Sequence, residues 1–334
     1  MKQALSIPRI ANQVQTEADA YLFLERLRWS DGVVCPHCGA TGRCFYLNPA
    51  NGNSRKTTRG AASQRRVWKC GDCRRQFSVL TGTIFHGTHI SVRVWLMVIF
   101  EMCSSKNGVS AREIERKYEL TAKTAWFMLH RIREAMKREP LAGLLSGVVA
   151  ADETWIGGKV GNQSKTKRAP RRNWEGAAAG GRKEKPAVLA LVDTQTGEVR
   201  SRVIPNVQAS TLRKFIADNV EMGATILVTD EAHGYKQFAG EMKGHERVVH
   251  SHDEYVNPRG FTTNMAEAYF GQLKRSINGT FHHVSEEHLA RYLAQFDFLR
   301  TNCEDSDTER MRKVIDNAAG RRLTYRPLTE TVSS

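Results

Sequence analysis

Apolar and polar positions change period along this chain. EADAYLFLERLRW spaces its apolar residues for a short helix, and SVRVWLMVIFEMCSS repeats them with helical period. VSAREIERKYELTAKTAWFMLHRIREAMKREP then reads as two helices broken at Leu120 and Thr121, with Ser110 and Thr121 as caps and Pro140 as the stop. From Gly147 the pattern turns to strands. VVAADETWIGG predicts one strand, PAVLALVDTQTGEVRSRVIP a hairpin turning at Thr196-Gly197, TLRKFIADNV a helix and ATILVTD another strand. Helices over 264–277 and 288–299 follow, and the charged segment after Asn302 carries only weak patterning.

Two interruptions of the pattern carry chemistry. Cys35-Pro-His-Cys38 and Cys70-Gly-Asp-Cys73 offer four thiolates in two short bites, which suits a tetrahedral Zn²⁺ with no open position, hence structural rather than catalytic. Cys44 and His37 read as surface or packing residues, Cys103 and Cys303 as small apolar fillers. Between the pairs, NPANGNSRKTTRGAASQRR is too polar and too rich in Gly, Asn and Ser to pack, and predicts an exposed loop. The second interruption is acidic: Asp152 follows VVAA, Asp230 follows TILVT, and NMAEAYFGQLKR carries Glu267. An aspartate after an apolar strand is expected where the strand leaves the core, and paired carboxylates there call for a neutralising cation. Three carboxylates from separated segments can hold two Mg²⁺ or Mn²⁺ ions for phosphoryl transfer. Lys274, two helical turns after Glu267, would reach a phosphate from the same face, with Arg275 beside it; Asn264 could supply a carbonyl ligand. Glu153 and Glu231 read as surface acids, and His233, His250, His252, His282 and His283 specify no second zinc site.

The element order then predicts an α/β fold: a ribonuclease-H-like mixed-sheet catalytic core preceded by a zinc ribbon and a helical, helix-turn-helix-like region. The expected organisation is a helical lead over 1–30, the ribbon over 31–80, a DNA-binding or linking helical region over 81–145, the catalytic domain over 146–302 and a tail over 303–334. In the second helix of the pair, Lys123, Thr124, His130, Arg131 and Arg133 are expected on exposed positions, with Lys123, Thr124 and Arg131 against DNA. Tyrosine or serine nucleophile chemistry finds no supporting arginine and histidine constellation.

Charge sharpens the partner. The 334 residues are 40% hydrophobic, ordinary for a globular protein, yet 50 Lys and Arg against 35 Asp and Glu give +15, which argues for a polyanion. Residues 43–75 carry nine basic residues against Asp72, and 159–185 nine against Glu175 and Glu184, so the excess sits in two stretches. The second includes Arg171 and Arg172, expected on DNA. No apolar run reaches the roughly eighteen residues of a membrane span, and the N-terminus lacks a signal-peptide core, so a cytoplasmic protein without membrane association is expected.

In combination, RWSDGVVCPHCG, WKCGDCRRQFSVLTGTIFHGT, GVSAREIERKYELTAKTAWFMLHRIR, ADETWIGG, VTDEAHGY and TNMAEAYFGQLKRSINGTFHHVSEEHLARYLAQFDFLRTN resemble the DDE transposases of bacterial insertion sequences. Within them the chain is similar to the IS1595 group, with an ISXO2-like domain and an N-terminal zinc ribbon. The resemblance implies an acidic triad of Asp152, Asp230 and Glu267. It implies cutting of double-stranded DNA at terminal inverted repeats and joining of the 3′ ends to target DNA, by a dimer or larger assembly in a bacterial, nucleoid-associated setting. The group varies between asparagine and glutamate at the third ligand, and both Asn264 and Glu267 stand in the motif; carboxylate chemistry and the phase of Lys274 favour Glu267. The rival readings are a structure-specific nuclease without strand transfer, and a transposase-derived DNA-binding regulator.

Overall fold

Helix starts in the first unit are set by side chains that accept from first-turn N–H groups. Ser6 caps α1 (Ile7–Gln13), and a Thr16–Asp19 capping box opens α2 (Glu17–Arg28). The structure, a computed structural model, describes residues 5–47, 56–57, 60–61, 65–138, 143–157, 186–230, 233–248 and 256–325. It divides into two compact units, one of residues 1–137 with 303–334, the other of residues 138–302.

In the first unit, β1 (Cys44–Tyr46), β4 (Trp68–Cys70) and β5 (Gln76–Phe77) form an antiparallel sheet in the order β1-β4-β5. The polar segment expected to be a loop contains a small hairpin, β2 (Lys56–Thr57) with β3 (Gly60–Ala61). Next comes α3 (Val92–Ser104), whose Trp95, Leu96, Val98, Ile99 and Met102 are fully buried, as is Cys103. Ser110 and Thr121 do cap α4 (Ala111–Tyr118) and α5 (Ala122–Met136), and the chain turns between them through Glu119 at φ 52°. The weakly patterned segment after Asn302 forms α9 (Asp307–Asp316), opened by a Ser306–Glu309 capping box. Its Met311, Val314 and Ile315 are buried, and it packs on α2, α3 and α5. Backbone bonds from Ile84 N to Ala318 O and from Gly320 N to Gly82 O tie its far end down.

The second unit is a five-stranded mixed sheet in the order β10-β9-β6-β7-β8. β6 (Leu145–Trp155), β7 (Ala187–Asp193) and β8 (Val199–Ile204) are antiparallel neighbours, β9 (Val220–Thr229) runs parallel to β6, and β10 (Gly244–Arg247) parallel to β9. Every residue of β7 is buried, as its unbroken AVLALV run requires of a strand covered on both faces. Asp193 Oδ1 accepts from the N–H groups of Gln195 and Thr196, and Gly197 turns at φ 73°, fixing the β7–β8 hairpin. On one face, Leu212, Phe215 and Ile216 of α6 (Ala209–Ala217) pack with Val149, Ala151, Leu227 and Tyr235. On the other, α7 (Asn264–Ser276) and α8 (Glu286–Thr301) cover Ala150, Val188 and Ala190. Buried Tyr269 and Ser201 both donate to Asp297 Oδ1, at 2.6 and 2.7 Å, which joins α7, β8 and α8.

Candidate active site and metal centre

The cysteine centre is built from two turns. Gly39 N donates to Cys35 O and Cys35 N to Ala40 O, while Arg74 at φ 59° bends the chain after Cys73. Cys35 and Cys73 lie 3.7 Å apart at Sγ, as do Cys38 and Cys70, and all four sulfurs fall within 4.8 Å of one another. A tetrahedron with Zn–S bonds of about 2.3 Å has edges of about 3.8 Å, so the thiols already stand at the spacing that zinc requires. Only a small apolar cluster of Trp29, Val33, Trp68 and Phe77 surrounds them. Glu25 of α2 is buried and accepts from Trp68 Nε1 at 2.8 Å and Arg66 Nε at 2.6 Å, tethering the sheet to the helix. His37 is exposed beside Phe77, and Cys44 packs against the apolar cluster, where burial first of all pushes its thiol up; neither is among the four gathered donors.

The carboxylates come from three elements. Asp152 sits inside β6, opposite Ala190 and three residues before the strand's end, rather than at the end as expected. Its parity is that of Ala150, so it projects onto the α7 face. Ala150 pairs with Val228 across the parallel β6–β9 ladder, and Asp230 stands one residue past the end of β9, near enough for its charge to act on Asp152. Glu267 lies in the first turn of α7, where its Oε1 accepts from Thr263 Oγ1 at 3.0 Å. Burial pushes the Asp152 carboxyl up to about 7, with the charges of Asp230, Glu153 and Glu267 adding to the effect. The three acids thus share one field. Among the described residues, however, the four cysteines are the one set of three or more Cys, His, Asp or Glu donors gathered within 4.8 Å. Mutual repulsion holds carboxylates apart until positive charge neutralises them, so the donor types fit a hard divalent cation while the spacing is wider than a filled site.

Several expectations need correction. Arg131 is buried, not exposed: its guanidinium lies over Trp95 and Phe127 at 5.2 and 5.4 Å and donates to His86 O at 2.7 Å. The aromatic faces absorb the planar cation, and burial brings its pKa down to about 10. His130 and Arg133 are buried too, so this face of α5 belongs to the core. Lys123 is exposed and stands over the Tyr325 ring at 4.4 Å, and the Thr124 hydroxyl bonds with that of Thr121. Glu153 is no surface acid. It is half-buried on the face opposite Asp152, where fully buried Tyr235 donates to its Oε2 at 2.6 Å, a partner 82 residues away that no local motif announces. Cys303 is exposed rather than packed. Asn264, Lys274 and Arg275 are exposed on α7, and His282 and His283 beyond it. Arg171, Arg172, Glu231, His250 and His252, and the His233 side chain, lie outside the described residues. Among the described residues no helix is long and apolar enough to cross a membrane.

Residues 144–302 match the family model of the ISXO2-like transposase domain, and residues 15–76 that of the transposase zinc-ribbon domain. The four cysteines are thus a structural zinc centre. A Halobacterium salinarum protein, described as an uncharacterized protein in transposable element ISH50, is 27% identical over 310 residues, 91% of this chain and 97% of that one. Among solved structures, a chain of the simian T-cell lymphotropic virus intasome in complex with PP2A regulatory subunit B56 gamma aligns at 16% identity. It covers 59% of this chain and 66% of that one with a TM-score of 0.27, a superposition too loose to carry an argument.

Proposed function

From the premise that this chain belongs to the IS1595-type transposases, with their ISXO2-like domain behind a transposase zinc ribbon, we propose a metal-dependent reaction on DNA: cutting at the terminal inverted repeats of its element and joining of the 3′ ends to target DNA. The observation that supports the reading is Asp152 of β6 within the field of Glu267 and of Asp230, which follows the adjacent parallel strand β9. The sheet order, with three antiparallel strands followed by two parallel to the first, supports a ribonuclease-H-like core.

Asp152, Asp230 and Glu267 would hold Mg²⁺ or Mn²⁺. Bound there, two such ions supply positive charge to both the attacking and the leaving oxygen of an in-line phosphodiester displacement. With its carboxyl raised to about 7 by burial and neighbouring charge, Asp152 would bind such a cation as the carboxylate. Glu267 is the better third ligand than Asn264, because its charge already reaches Asp152 and Thr263 steadies it. Lys274 and Arg275, exposed on the same helix, would take the substrate's phosphates, and Lys123 and Thr124 remain at the open start of α5 for a DNA groove. Bringing two element ends together calls for a dimer or larger assembly.

Incubating the protein with the DNA flanking its gene, with Mg²⁺ and with EDTA, tests the reading. Joined products that need Mg²⁺ and fall about a thousandfold in Asp152→Ala, some 4 kcal/mol of barrier, are expected. Cut DNA without joined molecules would instead identify a nuclease, and tight binding without cutting a regulator.

A further inference from the structure

Among the described residues, main-chain pairing between the two aspartate-bearing segments stops short of the aspartates themselves. The β6–β9 ladder ends at Ala150 and Val228, two residues before Asp152 and Asp230 on each side. Beyond that point β6 continues against β7 only, and the end of β9 is held by β10, through Val248 N to Thr229 O. On the back of the sheet a side-chain bond links the two segments. Tyr235 lies in the 3₁₀ turn His233–Gln237, which directly follows the Asp230 segment, and its hydroxyl donates to Glu153 Oε2 at 2.6 Å. Glu153 is the covalent neighbour of Asp152, turned to the opposite face by strand alternation. Tyr235 is fully buried among Leu212, Phe215 and Phe238, so its hydroxyl can reach Glu153 but has little freedom to move.

We infer that the Tyr235–Glu153 hydrogen bond is a clasp that sets the separation of Asp152 and Asp230, making Tyr235 and Glu153 positioning residues for the divalent-cation site. The inference rests on the metal site proposed above. A side chain pinned on one face of a strand fixes the backbone from which its neighbour projects on the other, so the clasp acts without touching the cation. Such outer contacts change metal affinity by about 10–100-fold in other sites. The required feature of Glu153 is an acceptor oxygen at this position and not its charge, because the Tyr235 hydroxyl can donate to a Gln Oε1 as well, though less strongly than to a carboxylate.

The test is Mn²⁺ binding to the full-length, zinc-loaded protein, read by electron paramagnetic resonance, with melting in EDTA as the check on folding. Tyr235→Phe and Glu153→Ala are expected to weaken Mn²⁺ binding about tenfold or more, with Glu153→Gln restoring it to within about twofold of the native protein because the acceptor is kept. Glu153→Ala leaves the core ring in place and so keeps the test open if Tyr235→Phe folds poorly. Mn²⁺ binding that depends on Asp152 yet is unchanged in Tyr235→Phe and Glu153→Ala would overturn the clasp alone. A Glu153→Gln protein as weak as Glu153→Ala would do the same, by making charge the operative property. Binding indifferent to Asp152→Ala would remove the metal site itself and the clasp's role with it.

Discussion

The zinc centre and the carboxylate site gather their donors over different distances. Each cysteine pair spans four residues of chain within one turn, and the two turns meet with Cys35 and Cys73, and Cys38 and Cys70, 3.7 Å apart at Sγ. The carboxylates proposed as ligands come from β6, from the residue after β9 and from α7, and among the described residues they are not gathered as closely as the thiols. A centre whose donors come from two tight turns can be closed by the metal itself. One whose donors arrive on packed elements inherits its geometry from the core, and can stay partly open for a substrate.

The largest effect expected follows from that contrast. Cys70→Ser should abolish zinc retention and unfold the ribbon, since structural zinc supplies about 10–16 kcal/mol in small domains with little core. Zinc content by mass spectrometry and proteolysis within residues 15–76 would check it; a stable, zinc-free ribbon would erase the distinction. Next, Glu25→Ala should cost about 3 kcal/mol by stranding Arg66 and Trp68, but leave zinc content unchanged. Loss of zinc in that variant would mean that the centre depends on the tether after all.

Asp152 gives a pH-dependent contrast. Its pKa is raised from the ordinary 3.8 to about 7, so between those values the native state holds a proton that the unfolded chain releases, and stability falls as pH rises. Asp152→Asn should therefore melt like the native protein near pH 4, yet gain on the order of 2 kcal/mol above pH 7 without divalent cations. Added Mg²⁺ should close the gap by stabilising the native protein only. A variant without that gain would show that the acids repel too weakly to be poised for a cation. The smallest effect is reserved for Asn264→Ala, expected to change strand transfer less than about tenfold, against about a thousandfold for Glu267→Ala. Equal losses would make Asn264 a ligand.

The same contrast sorts what the sequence made legible. The cysteine knuckles, the caps at Ser110 and Thr121 and the Thr196-Gly197 turn are local, and residue type with spacing was enough to read them. Alternation along VVAADETW is also local, yet how far β6 runs past Asp152 is decided by its pairing with β7, which a single segment does not reveal. Arg131 shows the limit of reading charge as exposure: Trp95 lies 36 positions earlier, and its ring makes a buried site for a guanidinium. Glu153 was misread for the same reason, Tyr235 being supplied by a distant turn. For α9 a signal did exist, in the Ser306–Glu309 box and the apolar triplet Met311, Val314 and Ile315 at helical spacing, beneath a high density of charge.

The return of α9 to the first unit also orders events during synthesis. Without Met311, Val314 and Ile315, the apolar faces of α2, α3 and α5 lack their cover, and the strand-like bridge between Thr83 and Ala319 has only one side. The ribbon-bearing unit is therefore completed only after the ribosome has made the whole carboxylate unit. A product truncated within residues 138–302 would leave that cover unmade and the apolar faces of α2, α3 and α5 in water.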